Sequence, residues 1–419
     1  MCSEEGQEFV LEEPVSHVAR RRRAAIVFLG VASAAVGFTM SLQTGLNDNF
    51  LADELFFTGA QKGLLEAVRE FCGIAALGML ALLAGLAEPI IAAAMLVMLG
   101  VGLGCYAAVF PTPSGYVWLV LLSLVWSQGF HVFVPLPSSM MLSVAEPGQT
   151  GRRLGQMQAA GAIGSAVSLA IALGLAVGTK VFKHPAPPIR LMYILAGGAA
   201  TLGAVACLAI PRDIKTPGPR LVFRRKYGLY YLLCLLEGWR KQIFIAFAGF
   251  LLVKVFHTEL WLMLTLWLVV QSMTWFVSPA VGRIIDRFGE RRVLVAYYIA
   301  VTAVNSSYAL IPMLRHSHPD LTVWMLRALF IADNAFFALG MALTTYVRHI
   351  APPSEHTPTL SMGVAMNHVA AVTMPLVGAL LWQYVGYQAV FAAGAAAAVA
   401  SIFVASRVPM RAAAREHKV

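Results

Sequence analysis

Apolar runs long enough to cross a lipid bilayer recur along this chain from about residue 24 to about residue 406. A helix needs about 20 apolar residues to span the hydrocarbon core at 1.5 Å per residue. Of the 419 residues, 59% are hydrophobic and 12% are charged, whereas soluble domains carry about 25% charged residues. The sequence therefore predicts an all-α polytopic membrane protein and excludes a soluble globule.

Twelve such runs can be delimited, and they form two sets of six. The first set is predicted at about 24–45, 60–84, 88–109, 115–144, 154–179 and 189–210. The second set is predicted at about 227–256, 260–281, 293–314, 320–349, 359–382 and 385–406. The predicted domains are a tail at 1–23, a six-helix half at 24–210, a basic linker at 211–226, a second half at 227–406 and a tail at 407–419.

Basic residues concentrate at one side of these runs. Arg20–Arg23, the linker, the connection Arg283–Arg292 and the C-terminal tail all fall on the side of the N-terminus. The opposite side holds a smaller set, namely Lys62, Lys180, Lys183, Arg190, Lys254 and Arg315. The positive-inside rule therefore predicts that both termini are cytoplasmic, in a plasma (inner) membrane. It also explains the net charge of +10 without a nucleic-acid partner.

The most specific motif lies between the eighth and ninth runs. It reads Gly282-Arg-Ile-Ile-Asp286-Arg287-Phe-Gly289-Glu-Arg291-Arg292. We expect Gly282 to allow close helix approach and Gly289 to adopt a turn conformation that is costly for other residues. The carboxylate of Asp286 can pair with an arginine or with a helix N-terminus. This pattern resembles the gating-loop motif of the major facilitator superfamily of secondary transporters, with Glu290 in place of one basic residue.

The resemblance implies a fold and an activity. It implies 12 transmembrane helices in two pseudo-symmetric halves, which work as a monomer and move a small-molecule substrate by alternating access. The corresponding first-half loop, Gly85-Leu-Ala-Glu88-Pro89, has no basic residue, and Val125 stands where some members carry an arginine. Symmetric gating and proton coupling through that arginine are therefore not carried over. In the fifth run, Gly155, Gly161 and Gly164 are candidates for small-residue packing.

Charged residues inside the apolar runs are the best candidates for function. The second run contains Glu66, Arg69 and Glu70, and the seventh contains Glu237, Arg240 and Lys241, both at helical spacing. Six such groups facing lipid would cost about 15–20 kcal/mol, more than the whole stability of a typical domain. They must therefore pair with one another or line a wet cavity.

The seventh-run trio is predicted to bind the substrate. Two bases against one acid favour an anionic solute, such as a carboxylate or a phosphate. For Glu66, Arg69 and Glu70 the sequence leaves two alternatives open, namely proton coupling or a self-contained ladder of ion pairs. The polar cluster at the end of the first run, which includes Gln43, either contacts substrate or caps a loop.

Three further polar positions lie in the later runs. Asp333 is either a proton-coupling carboxylate or the partner of a salt bridge to Arg240 or Arg327. Asn367 and His368 either bind substrate or fill a packing position. His131 has the same alternatives, and Pro135 and Pro137 after it are expected to bend their helix.

No enzyme motif is present in the sequence. It has no phosphate-binding Gly-Lys-Ser/Thr loop, and its five cysteines show no metal-ligand spacing. We therefore predict no catalytic residue, cofactor or metal. The predicted function is secondary active transport of a small organic solute, coupled to protons, in a lipid bilayer. The alternatives are an efflux transporter for hydrophobic compounds and a non-transporting membrane sensor or assembly partner with the same fold.

Overall fold

The structure is a computed structural model that describes residues 15–83, 85–146, 149–184, 186–212 and 223–410. Parts of the predicted tails (1–14 and 411–419) and most of the predicted linker (213–222) lie outside the described residues.

The first half contains seven α-helices in its described residues. They are α1 (Val15–Asn49), which continues as a π-helical turn (Phe50–Glu54), α2 (Gly59–Leu82), α3 (Glu88–Gly104), which continues as a 3₁₀ turn (Cys105–Ala108), α4 (Pro113–Phe133), α5 (Leu136–Val144), α6 (Thr150–Val181) and α7 (Ile189–Leu208). Helices α4 and α5 are two pieces of one predicted run. The break lies at Pro135 and Pro137, which lack the backbone donor that a continuous helix needs, and the bend expected there stays a prediction.

The second half repeats this plan. It contains α8 (Gly228–Lys254), α9 (Leu260–Phe288), α10 (Glu290–Leu310), which continues as a 3₁₀ turn (Ile311–His316), α11 (Pro319–Phe336), α12 (Met341–Ile350), α13 (Pro353–Tyr384) and α14 (Tyr387–Ala405). Here α11 and α12 are the two pieces of one predicted run, joined by a 3₁₀ turn (Phe337–Gly340). In each half, therefore, the fourth predicted run is broken into two helices.

The predicted number of twelve spans is met only in part. Within the described residues, nine helical segments are long and apolar enough to cross a membrane, and α9 makes a tenth if its two bent pieces are one span. Helices α2 and α8 do not pass the same test, because every stretch of 18 residues in each of them holds at least three charged residues. The count of twelve spans stays a prediction. It requires that α2 and α8 cross the membrane with their charged residues paired or facing water.

Helix packing defines two halves and one interface between them. Helix α1 packs against α6 and α7, and α3 packs against α4 and α7. In the second half, α8 packs against α13 and α14, and α10 packs against α14. Across the halves, α2 packs against α13 and α6 packs against α9. We call these last contacts the interface between the halves.

The connections lie at two ends of the bundle. We call the end that holds connections 55–58, 109–112, 255–259 and 385–386 the far end, and the end that holds connections 289 and 351–352 the near end. The described chain ends, Val15 and Met410, belong to the near end. Residues at one end of the bundle can therefore bridge helices from both halves even when they are far apart in sequence.

Small residues bring α1 and α6 into backbone contact. A Cβ atom added at Gly164 would lie 2.0 Å from the carbonyl oxygen of Ala34, and one added at Gly37 would lie 2.0 Å from that of Gly161. The packing role predicted for Gly164 is confirmed, whereas Gly155 has open space beside it. Close backbone approach of this kind is how helices associate where lipid gives no hydrophobic driving force.

We predict that Gly164→Ala destabilises the protein by about 1–3 kcal/mol, because the added methyl group overpacks a contact with rigid backbone. Gly174→Ala on the same helix is the matched control, since a Cβ atom there meets nothing within 4 Å. Melting of the detergent-purified protein should show a lower midpoint for the first variant alone. Equal midpoints would contradict the close α1–α6 contact.

Candidate functional site

A continuous chain of ion pairs runs along the interface between the halves. The Lys62 ammonium lies 3.1 Å from Asp48 Oδ1 and 2.9 Å from Glu66 Oε1. The Arg69 guanidinium lies 2.7 Å from Glu66 Oε2 and also pairs with Glu70. We call these five residues the ionic chain. Each of its charges has an opposite neighbour, and this is the condition under which ionised groups are tolerated in an interior.

Local sequence explains why the ionic chain forms. Lys62, Glu66, Arg69 and Glu70 follow one another at spacings that place them on one face of α2. The start of α2 is fixed by a capping box, in which Thr58 and Gln61 each accept a backbone hydrogen bond from the other. Lys62 therefore lies in the first turn, where the end of α1 supplies Asp48.

A cavity of about 150 Å³ lies beside the ionic chain, between the halves. The first half lines it with Met40, Gln43, Thr44, Asn47, Asp48, Lys62, Glu66 and Arg69. The second half lines it with Phe244, Ile245, Gly249, Trp267, Phe330 and Asn334. One wall thus offers hydrogen bonds and charges, while the other is mostly apolar. Convergent polar groups opposite an apolar wall are typical of small-molecule sites.

A second ionic network lies inside the second half. The fully buried Arg240 guanidinium donates to both Asp333 oxygens at 3.1 Å and to Glu237 Oε1 at 3.0 Å. It also donates to the Tyr297 hydroxyl, which in turn donates to Glu237 Oε1 at 2.7 Å. These bonds tie α8, α10 and α11 together. Two carboxylates neutralise the charge of Arg240, so this network has no net positive charge that could attract an anion.

The predicted substrate residues of α8 therefore separate into two environments. Glu237 and Arg240 belong to the internal network, and neither lines the described cavity. Asp333 makes the salt bridge to Arg240 that the sequence left as an alternative, whereas Arg327 donates to the Thr258 hydroxyl at 3.3 Å. Lys241 has no carboxylate within 4.0 Å among the described residues.

Lys241 points toward α13. Its ammonium group donates to Asn367 Oδ1 at 3.0 Å and lies 5.6 Å from the ring centroid of Phe337. The next residue of α13, His368, lies with its Nδ1 atom 3.6 Å from Glu70 Oε2. Of the six residues predicted to bind substrate, Gln43 is the one on the described cavity wall. Asn367 and His368 lie instead where α13 meets α8 and α2.

The halves touch at the far end. Lys180 on α6 donates to both Glu259 oxygens, at 2.9 and 2.8 Å, and the Trp261 indole donates to Glu259 Oε2 at 2.9 Å. We call these three residues the far-end latch. The hydrogen bonds from Lys180 hold the pKa of the Glu259 carboxyl below its ordinary value. Nearby, a Cβ atom added at Gly59 of α2 would lie 2.1 Å from the Trp382 ring of α13.

The motif between α9 and α10 is a tight turn at the near end. Helix α9 ends at Phe288, Gly289 has a φ of +78°, and α10 begins at Glu290, which confirms the turn predicted for Gly289. The close helix approach predicted at Gly282 is not seen, because among the described side chains nothing lies within 4 Å of a Cβ atom added there. Buried Glu290 lies 3.1 Å from His349 of α12. The gating role of Asp286, Arg287, Arg291 and Arg292 stays a prediction.

Sequence reasoning missed part of the site. The sequence places Lys62 at the outer rim, although it is 2% exposed and central to the ionic chain. Its position four residues before Glu66 is the signal that could have revealed this. The aromatic wall of Phe244, Trp267 and Phe330 gave no comparable signal, because most aromatic residues in membrane helices pack or lie at interfaces.

Comparison with known proteins identifies the fold. A crystal structure of a mutant of the nucleoside transporter NupG matches with a TM-score of 0.74 at 13% identity, over 92% of this chain and 100% of that chain. A D-xylose-proton symporter matches with a TM-score of 0.68 at 13% identity, over 94% and 99%. A bacterial homolog of the human lysosomal transporter Spinster matches with a TM-score of 0.66 at 14% identity, over 93% and 97%.

Sequence comparison supports the same conclusion. Residues 242–418 match the family model described as Major Facilitator Superfamily. No curated protein matches the sequence significantly. The solved structures share the fold at identities too low to indicate a common substrate. Its apolar helices and two packed halves indicate that the chain is an integral membrane protein with the fold of these transporters, and residues 242–418 match the model of the major facilitator superfamily.

Proposed function

We propose that the protein is a secondary active transporter that moves a small polar organic solute by alternating access between its two halves. The observation that carries this proposal is the cavity at the interface, to which both halves contribute lining residues. Rocking of one half against the other would expose such a cavity to each end of the bundle in turn. The positive-inside pattern supports a cytoplasmic near end.

The cavity wall supports a hydrogen-bonding solute. Its volume of about 150 Å³ is below the roughly 300–1,000 Å³ of sites for drug-sized ligands. Gln43, Thr44 and Asn47 offer amide and hydroxyl groups, and Trp267 and Phe330 face them across the cavity. A small polar molecule with one flat or apolar face fits these walls, and two structural neighbours are named as a nucleoside transporter and a D-xylose-proton symporter.

Charge balance argues for a neutral solute in this cavity. The cations on its wall, Lys62 and Arg69, are each paired with carboxylates. The anionic solute expected from the sequence would instead need Lys241, which bonds Asn367 and does not line the described cavity. We therefore place the solute on the polar wall of α1 and assign Arg240 and Asp333 to the internal support of the second half.

Proton coupling is assigned to the carboxylates of the ionic chain. Glu66 lines the cavity and is shared by Lys62 and Arg69. The ionic chain holds three carboxylates against two cations, so protonating Glu66 balances its charge and releases Lys62 and Arg69 from their shared partner. Loss of these two contacts would favour a different arrangement of α1 and α2, which links proton binding to the movement of the halves.

We predict that Gln43→Ala weakens binding of the solute by about tenfold or more, because it removes an amide from the cavity wall. A loss of about 1.4 kcal/mol of binding free energy corresponds to a factor of ten in Kd. A thermal-shift screen of the purified protein against nucleosides, sugars, amino acids, organic anions and cationic drugs first identifies the ligand, since binding raises the melting temperature. Titration calorimetry then measures Kd for wild type and variant.

Thr39→Val is the matched control for Gln43→Ala. Thr39 lies one turn earlier on α1 and donates to Ala196 O at 2.9 Å, inside the first half. This variant should melt at a lower temperature but keep the Kd of the wild type. Equal Kd values for Gln43→Ala and wild type would place the solute elsewhere.

We predict that Glu66→Gln abolishes accumulation of the solute driven by a pH gradient while solute exchange continues. The amide keeps the size of the side chain but cannot carry the proton. Uptake and counterflow by reconstituted proteoliposomes measure the two activities. Glu146→Gln, which breaks an ion pair with Arg153 within the first half, should accumulate solute normally. Gradient-driven accumulation by Glu66→Gln at the wild-type level would refute the assignment.

We predict that Glu259→Gln opens the far end, because the amide cannot hold Lys180 as an ion pair. The measurement is the distance between spin labels at Phe182 and His257, which flank the far-end latch. In the wild type, the lowered pKa of Glu259 means that the latch is complete above the ordinary glutamate value of about 4.3. It is lost as the pH falls through that lowered pKa. Identical distances in Glu259→Gln and wild type at pH 7 would show that the latch does not hold the halves.

A further inference from the structure

Three metal-ligating side chains meet at the interface between the halves. Glu70 of α2, His131 of α4 and His368 of α13 have ligand atoms that all lie within 4.8 Å of one another. None of the three lines the described cavity, so the proposed solute site does not account for them. We propose that they form a binding site for a divalent transition-metal ion of the zinc class, which bridges the two halves.

His131 is oriented as a ligand. Its Nδ1 atom lies 2.8 Å from the carbonyl oxygen of Ser127, and the Ser127 hydroxyl donates to the carbonyl oxygen of Arg69. With Nδ1–H donating to that carbonyl, Nε2 carries the lone pair that a metal needs. A backbone acceptor on the other ring nitrogen is the usual support of a metal-binding histidine.

Glu70 is held by a neighbour in the same way. The Arg69 guanidinium pairs with Oε1 of Glu70, which fixes the carboxylate and leaves Oε2 facing His368 Nδ1 at 3.6 Å. The same guanidinium opposes a bound cation. We therefore expect a site of moderate affinity, in which metal binding is reversible.

His368 is held tightly at this position. Its Nδ1 atom is buried and makes no hydrogen bond within 3.5 Å among the described residues, since Glu70 Oε2 lies 3.6 Å away. The ring occupies space that only a glycine leaves free, because a Cβ atom at Gly73 would lie 2.2 Å from Nδ1. A buried nitrogen with so long a contact is poorly satisfied, and a metal ion between it and Glu70 would supply a closer interaction.

The donor set and its dimensions suit zinc. Two imidazoles and one carboxylate are a known three-ligand zinc set, which leaves a fourth position open. With bonds of about 2.0–2.1 Å, ligand atoms around a tetrahedral zinc are about 3.3 Å apart. The separations of up to 4.8 Å reach that value with small side-chain rotations. A divalent ion of this kind can therefore draw the three groups together without moving a helix.

The site lies where a bound ion would affect movement of one half against the other. Helices α2 and α4 belong to the first half and α13 to the second, so one ion would hold ligands from both halves. Transport that requires the halves to separate here would be slowed by the metal. This consequence rests on the proposed transport function, whereas the binding itself does not.

The test is a metal titration of the full-length, chelator-treated protein in detergent. We expect ZnCl₂ to raise the melting temperature of the wild type by mass action. Co²⁺, used as a spectroscopic probe, should give the visible absorption of a four-coordinate site. His131→Ala and His368→Ala should each lower the metal affinity obtained from both titrations by about tenfold or more, as loss of a metal-supporting group does.

A pair of glycine variants tests the geometry while keeping every ligand. Gly73→Ala should displace His368 and weaken metal binding, whereas Gly78→Ala on the same helix should not, because a Cβ atom there meets nothing within 4 Å. His349→Gln, which removes a histidine at the near end, should also respond like the wild type. These variants separate the interface site from metal bound at other histidines.

Two results would overturn the proposal. One is a wild type whose melting temperature and Co²⁺ spectrum do not respond to metal. The other is a set of His131, His368 and Gly73 variants that respond as strongly as the wild type, which would show that the ion binds elsewhere. Neither measurement involves transport, so failure of the metal site and failure of the transport function remain distinguishable.

Discussion

A charge withdrawn from water must find an opposite charge, and this constraint governs the arrangement of α2 and α8. Neither helix is apolar enough to face lipid around its whole circumference. Helix α2 meets the constraint by laying its charged face against Asp48 of α1, and α8 meets it by enclosing Arg240 between Glu237 and Asp333. The position of each helix in its half follows from these pairings as much as from apolar packing.

The two ionic networks differ in what they connect. Arg240, Tyr297 and their carboxylates join three helices of one half, so they make that half a stiff body. The ionic chain lies at the surface along which the halves meet, and its end at Glu70 approaches His368 of the other half. A fully paired network inside a body resists change, whereas one at a boundary is re-formed whenever the boundary shifts. The sequence places similar trios in both helices, but their environments give them different roles.

The sequence predicts the class of fold and the identity of the buried charges, because hydropathy and helical spacing are local properties. It does not predict which partner each charge finds. Asp333 and Arg240 are 93 residues apart, and the sequence alone leaves a salt bridge and proton coupling as equal interpretations of Asp333. Glu70, His131 and His368 lie in three separate runs, and only the packing of α2, α4 and α13 brings them together. Gly282 shows the reverse, since a motif suggested a close contact that the described residues of the fold do not make.

The interruption of the fourth predicted run in each half affects how the near end can deform. At Pro135 and Pro137 the chain lacks amide donors, and at Phe337–Gly340 it adopts the tighter 3₁₀ geometry, whose hydrogen bonds are weaker. Bending breaks few hydrogen bonds at the two prolines, where donors are missing, and only weaker ones at the 3₁₀ turn. We therefore expect the short pieces α5 and α12 to tilt more easily than the longer helices bend.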